Sequence, residues 1–283
     1  MKRVWSIALA MLSFTAFAQV SGQFVEENAV EIKDRMEAND ALYQKVKGYK
    51  AIMVGELHGT QEAPEFVVGL VKSLQKNGKK VVVAFEIASD GLKSFVSNPT
   101  LDGLRKSVFF NAQTQDGRQS VAWAQMLVDL RALNVDITYI NLSLGQKEEK
   151  NVVRDSTMYE NLNAYFKTDT TRTLVTLTGA FSNKLTPYKG AKTLAYFMQK
   201  DKYSCFKNKS ILSLIHYHGK GTAQYWANDG FKVREIDGNA DFYEYATEYE
   251  NYMLIYNVQE GYNGIFYSKT LTASPSLVPG GTK

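Results

Sequence analysis

Two carboxylates and an imidazole stand where apolar runs end. The run Ala51–Val54 passes into Gly55-Glu56-Leu57-His58-Gly59, and the run Val81–Phe85 passes into Glu86. A carboxylate beside an imidazole orients the ring, raises its basicity and makes a general base that works near neutral pH. The bland reading is a solvated glutamate at each strand end and a histidine capping a helix. Two more imidazoles, His216 and His218, follow the run Ile211–Ile215, and with His58 they are the protein's three histidines. Residues two apart on a strand share a face, so both rings are predicted to point at one centre. His58, His216 and His218, joined by Glu56 or Glu86, form an alternative metal-binding set. His-x-His discriminates less than a longer zinc signature, and one buried, hydrogen-bonded histidine with one surface histidine is the readier account of it. Arg154-Asp155 is either an anion-binding pair near a helix start or part of a solvated helix face.

These groups meet only if the right elements carry them. Ala51–Val54 and Val81–Phe85 read as buried parallel strands joined by a helix from about Ala63 to Gln75, with Pro64 in its first turn, where a missing N–H costs little. Read as adjacent strands of a β-α-β unit, both end at one edge of the sheet, where open α/β folds place their sites. An amphipathic helix is predicted from Glu27 to about Lys45. Weak patterning from Asp90 to Ser120, with a polar stretch Asn111–Gln119, predicts a helical insertion that lies over the strand ends as a lid. A helix over Val121–Leu133, a strand over Asp136–Leu142, a charged helix from Lys147 to Phe166, a strand over Leu174–Leu177 and a helix near Ala191–Gln199 lead to the strand at Ile211. Strands alternating with helices predict one α/β domain, a mostly parallel central sheet covered on both faces in three α/β/α layers, over residues 19–273. The tail 274–283, rich in Pro, Gly and Ser, is predicted to be disordered.

The N-terminus reads as a leader. Lys2 and Arg3 precede a short apolar run, Val4–Phe14, and Ala16-Phe17-Ala18 offers a small-x-small cleavage site. A signal peptide over 1–18 predicts a secreted or periplasmic protein with no transmembrane segment. Losing Lys2 and Arg3 lowers the formal charge from +4 to about +2, a balance that gives no support to a nucleic-acid partner. The single cysteine, Cys205, excludes an intrachain disulfide, and such a thiol is most often buried packing. No Gly-x-Gly-x-x-Gly follows a strand. Gly219-Lys220-Gly221-Thr222 is not a P-loop, and there is no Gly-x-Ser-x-Gly elbow. Nucleotide binding and serine hydrolysis are therefore disfavoured.

Gly55-Glu56-Leu57-His58-Gly59, Glu86 and Arg154-Asp155-Ser156-Thr157-Met158, in this order and spacing, resemble the erythromycin-esterase superfamily. That group is similar to the ChaN-like haem-binding lipoproteins and, more distantly, to the TraB/Tiki metalloproteases with their Gly-x-x-His signature. The resemblance covers roughly residues 50 to 220. It implies a cleft at the strand C-termini in which His58 activates a water against an ester, lactone or amide. Glu56 and Glu86 are then its orienting and charge-balancing partners, and Arg154 supports the cleft. The family carries a second histidine just after the fourth strand, where this chain has Ser182. That departure implies either a pseudo-enzyme or a replacement by His216 or His218. The catalytic set so implied is His58, Glu56, Glu86 and His216, with Arg154, Asp155 and His218 toward a small-molecule substrate and no cofactor. The alternatives are a ChaN-like protein that binds haem or another ligand without chemistry, and a metal-dependent peptidase. Tyr217, Tyr243, Tyr245, Tyr249 and Tyr252 are the aromatic groups the first alternative would use, and strand packing is their ordinary role.

Overall fold

Glu56 ends a strand buried at every position, so the site is anchored in the middle of a sheet. The computed structural model describes residues 22–112, 115–141, 151–207, 209–228, 230–238, 248–258 and 261–278. The leader, Tyr243, Tyr245 and the segment 142–150 lie outside them. In chain order the elements are α1 (Gly22–Asn28), β1 (Val30–Glu31), α2 (Asp40–Val46), β2 (Ala51–Glu56), α3 (Glu62–Lys76), β3 (Val81–Phe85), α4 (Lys93–Ser97), α5 (Leu101–Arg105), α6 (Val121–Ala132), β4 (Asp136–Tyr139), α7 (Asn151–Thr168), β5 (Thr173–Gly179), α8 (Leu194–Lys200), β6 (Ile211–His218), β7 (Gly221–Ala227), β8 (Gly230–Ile236), β9 (Asn251–Leu254) and β10 (Gly264–Ser268).

Eight strands form one sheet in the order β1-β9-β10-β6-β2-β5-β3-β4. The six from β10 to β4 run parallel, and β9 and β1 close the edge antiparallel. Alternation along each strand divides the core between two faces. Ile52, Val54, Val83, Phe85, Leu212 and Leu214 pack under α3 and α6 with Phe66, Leu70 and Leu127. Ala51, Met53, Val82 and Leu174 face α7 and α8 through Met158, Leu162 and Met198. The result is an α/β/α sandwich. Full burial of each large apolar side chain contributes about 1.5–3 kcal/mol. None of the described helices is long and apolar enough to cross a membrane.

Four expectations are corrected. The strands bearing Glu56 and Glu86 are not neighbours, because the chain returns from β4 through α7 and lays β5 between β2 and β3. The helix expected over Glu27–Lys45 is interrupted by β1, where Val30 and Ile32 turn into the core, and it restarts at α2 under an Asn39 cap that accepts from the Leu42 N–H. The strand at Ile211 runs on to His218, because β10 pairs with it in parallel from Leu214 to His218. The segment from Ser274 is not loose as far as residue 278. Ser274 N–H donates to the Gly59 carbonyl (2.9 Å), Leu277 N–H to the Gln119 carbonyl (2.9 Å), and Leu277 enters the core. Apolar Leu277 amid small residues, with backbone groups that need partners, supplies the reason.

Candidate active site

The C-terminal edge of β2, β5 and β3 forms the floor. Glu56 is the last residue of β2, and its side chain is sealed from solvent, while His58, two residues on, keeps 27% of its ring exposed. His58 Nδ1 lies 2.8 Å from Glu56 Oε1. The other carboxylate oxygen, Oε2, accepts from the indole N–H of Trp123 on the first turn of α6 (3.0 Å). Burial opposes the imidazolium charge of His58, but the Glu56 carboxylate outweighs it and holds the His58 pKa above its ordinary value.

Glu86 follows β3 and is 2% exposed. Arg154 Nη1 stands 3.1 Å from its Oε1 and Arg118 Nη1 3.8 Å, while the Gly179 N–H donates to Oε2 (3.0 Å). Arg118 also donates to the Glu86 carbonyl. Burial works against the carboxylate charge, yet the two guanidiniums prevail and the Glu86 pKa is lowered. Arg118 belongs to a loop, 115–119, that crosses the strand ends. Its Nε reaches Asp116 (3.0 Å), and despite burial the Arg118 charge brings Asp116 down to about 2. Gly117 in this loop has φ +98°, and a Cβ there would lie 2.5 Å from the Gly59 nitrogen, so only glycine lets the loop rest on the His58 turn.

Gly179 ends β5 between the two clusters. A Cβ at Gly179 would be 3.6 Å from His58 Nε2 and 3.7 Å from Glu86 Oε2. The free imidazole nitrogen and the carboxylate therefore border one small space above a bare backbone. Such a space suits a single small donor, a water, which can give one hydrogen to the basic nitrogen and the other to the carboxylate.

Of the residues singled out in the sequence, Glu56, His58, Glu86 and Arg154 come together here. Asp155 does not face the cleft. Its Oδ1 accepts from the Ser182 hydroxyl (3.1 Å) and its Oδ2 from the Leu194 N–H at the start of α8 (3.1 Å). Ser182 is buried, and Arg154 Nη2 approaches its hydroxyl at 3.4 Å.

His216 and His218 are placed elsewhere. His216 lies flat on Phe266 (centroids 4.7 Å apart), with Nε2 3.0 Å from the Ser268 hydroxyl. Its Nδ1 is buried without a hydrogen-bond partner, and burial pushes its pKa down to about 3. His218 Nδ1 is 2.8 Å from the Gly219 carbonyl, and burial lowers its pKa too. Because β6 extends through both histidines, alternation points them beneath the α3 face and not out over the strand ends. Among the described residues no three His, Cys, Asp or Glu side chains gather closely enough to hold a metal ion, so the His58, His216 and His218 set does not form.

A haem ligand pair is equally ill matched. Tyr217 sits between the two histidines in sequence and hence on the opposite face of β6, buried with Tyr252 and Tyr267. The site instead includes groups that the sequence reading passed over, namely Trp123, Asp116, Arg118 and Gly179. Only the polar stretch Asn111–Gln119 hinted at two of them.

No protein-family model and no curated protein matches the sequence. Solved structures do. A Bacillus cereus protein superposes over 90% of this chain and 98% of its own, with a TM-score of 0.66 at 11% identity. A succinoglycan biosynthesis protein superposes over 90% of this chain and 97% of its own, with a TM-score of 0.66 at 9% identity. A mutant of the erythromycin esterase EreC in its open conformation covers 84% of this chain and 95% of its own, with a TM-score of 0.56 at 9% identity. At these identities the likeness is one of fold, and the chain has the fold of erythromycin esterase.

Proposed function

We propose that this chain is an exported hydrolase of the erythromycin-esterase type, acting on an ester, lactone or amide in the cleft above Gly179. The observation that carries the reading is the bond between Glu56 and His58 Nδ1, which leaves Nε2 as the nitrogen beside Glu86 and the small space above Gly179. In this reading His58 Nε2 takes a proton from a water while the water oxygen bonds to the carbonyl carbon. The C–O or C–N bond then breaks, and the same proton passes to the leaving oxygen or nitrogen. Glu56 fixes the ring and balances the imidazolium. Glu86 holds the water, and Arg118 and Arg154 keep Glu86 ionised. Arg154 is committed to Glu86 and Ser182, which makes it a support of the cleft floor. Ser182 is tied to Asp155, so one histidine serves as both base and acid.

Exposed Leu57 and Phe181 flank the charged floor, on the β2–α3 turn and just after β5. They suit a substrate whose hydrolysable carbonyl is carried by an apolar body. The leader read in the sequence over 1–18 supports a reaction outside the cytoplasm.

The test is a screen of aryl esters, lactones and amides with the mature protein and with His58→Ala. Activity should rise with pH through the elevated His58 pKa, as the neutral base form appears. Equal rates for the two proteins on every hydrolysed substrate would rule out this mechanism.

A further inference from the structure

Glu56 is held from two sides, and only one of them is the histidine. Trp123 is completely buried, packs against Phe85 with ring centroids 5.4 Å apart, and directs its only polar atom at Glu56 Oε2. A buried indole N–H needs an acceptor, and a buried carboxylate needs donors on both oxygens. The two needs meet at one bond.

The position of the indole is itself fixed. The Ser120 hydroxyl caps α6 by accepting the Trp123 N–H. The Val121 and Ala122 N–H groups donate to the Pro275 carbonyl (2.8 Å) and the Ser274 hydroxyl (2.9 Å). The C-terminal segment thus ties the first turn of α6 to the same Gly59 carbonyl that follows His58.

We propose that Trp123 is a positioning residue of the hydrolytic site: its indole N–H locks the Glu56 carboxylate so that Oε1 faces His58 Nδ1 and moderates the negative charge presented there. The inference rests on the hydrolase reading for its consequence in catalysis, but not for its geometry. The charged groups facing His58 are Glu56 from β2, Asp116 and Arg118 from the loop above, and Glu86 across Gly179. Of these, only Glu56 is bonded to the ring, and only Glu56 receives the indole. A donor on one carboxylate oxygen withdraws charge from the other. Removing it strengthens the attraction between Glu56 and the protonated ring, making His58 harder to deprotonate and a poorer base at neutral pH.

The experiment is an NMR titration of the histidine ring protons, tractable because the protein has three histidines and His58→Ala identifies the signal. Trp123→Phe should move the His58 midpoint upward by roughly half a pH unit, with the signals of His216 and His218 unchanged. Where Trp123→Phe fails to fold, benzothienylalanine at position 123 keeps the bicyclic shape and deletes only the N–H, and the same upward shift is expected. An unchanged or lowered midpoint in a folded variant overturns the proposal. The titration needs no substrate, so a protein in which the midpoint moves but His58→Ala leaves hydrolysis intact would retain the Trp123 role and lose the hydrolase reading.

Discussion

His58 and His216 belong to neighbouring strands of one sheet and have opposite chemistry. β2 stops at Glu56 and β6 continues to His218, and that difference of a few residues decides everything that follows. His58 sits past the end of its strand, with the Glu56 carboxylate on one nitrogen and a methyl-sized space by the other. His216 sits inside its strand, stacked on Phe266, bonded to Ser268 and kept neutral by burial.

The contrast breaks most sharply in activity. His58→Ala should lower hydrolysis about 10²–10⁴-fold, the usual range for a lost acid–base group. His216→Phe should leave the turnover of folded protein unchanged, while costing about 1–3 kcal/mol for the abandoned Ser268 hydroxyl. Steady-state rates and urea midpoints of the two variants, measured side by side, would undo the comparison if both lost activity alike.

Stability against pH tilts in opposite directions for the two rings. The His216 pKa near 3 lies below the value near 6.5 of an unfolded chain, so its unfolded form binds the proton first. Stability is therefore fully present above pH 6.5 and is lost as the pH falls toward 3, by up to about 5 kcal/mol, with His218 adding in the same sense. His58, with its pKa raised, contributes stability below pH 6.5 that disappears as the pH rises through the folded value. Thermal denaturation between pH 3 and 7 should flatten in His216→Phe. A curve as steep as that of the parent would show that His216 is not sealed.

Removing a charge from the site tests the other half of the comparison. Glu86→Ala leaves Arg118 and Arg154 facing each other without their shared carboxylate. Breaking a buried ion pair on one side costs about 3–5 kcal/mol. The urea midpoint should fall accordingly, and adding Arg154→Met should recover part of it. Full stability in Glu86→Ala alone would mean that the arginines are not held by this carboxylate.

What could be read from the sequence follows the range of the forces involved. Apolar runs bounded by polar residues locate β2, β3, β5 and α3, and residues just past such runs are candidates for a rim, which is why Glu56, His58 and Glu86 stand out. The Arg-Asp pair was ambiguous from its residues alone, and Asp155 proved to bind the start of α8. Strand order is not a local property. Nothing in Thr173–Gly179 says that it enters between β2 and β3, and so nothing marked Gly179 as the floor. Trp123 looked like one more apolar residue of a helix, and its partner lies 67 residues away. The part of the tail over 274–278 was misjudged because Pro and Ser signal loops, whereas its order comes from backbone bonds to Gly59 and Gln119.

Gly179 offers the smallest change and the cleanest separation of site from scaffold. Its backbone, at φ −57° and ψ 143°, is one that any residue adopts, so the usual reason for a glycine does not apply. The three atoms nearest to a Cβ there lie at ordinary contact distances of 3.6–3.8 Å, and they belong to His58 and Glu86. Gly179→Ala should therefore fold with a urea midpoint close to that of the parent, while its methyl group occupies the space between Nε2 and Oε2. Loss of a correctly placed reactant costs about 10²-fold, and the fall should appear in kcat more than in KM, because the apolar rim is untouched. Normal turnover in Gly179→Ala would mean that the reacting water sits elsewhere. A collapsed urea midpoint would mean that the glycine serves the meeting of β5 with β2 and β3, and the small space would lose its place in the mechanism.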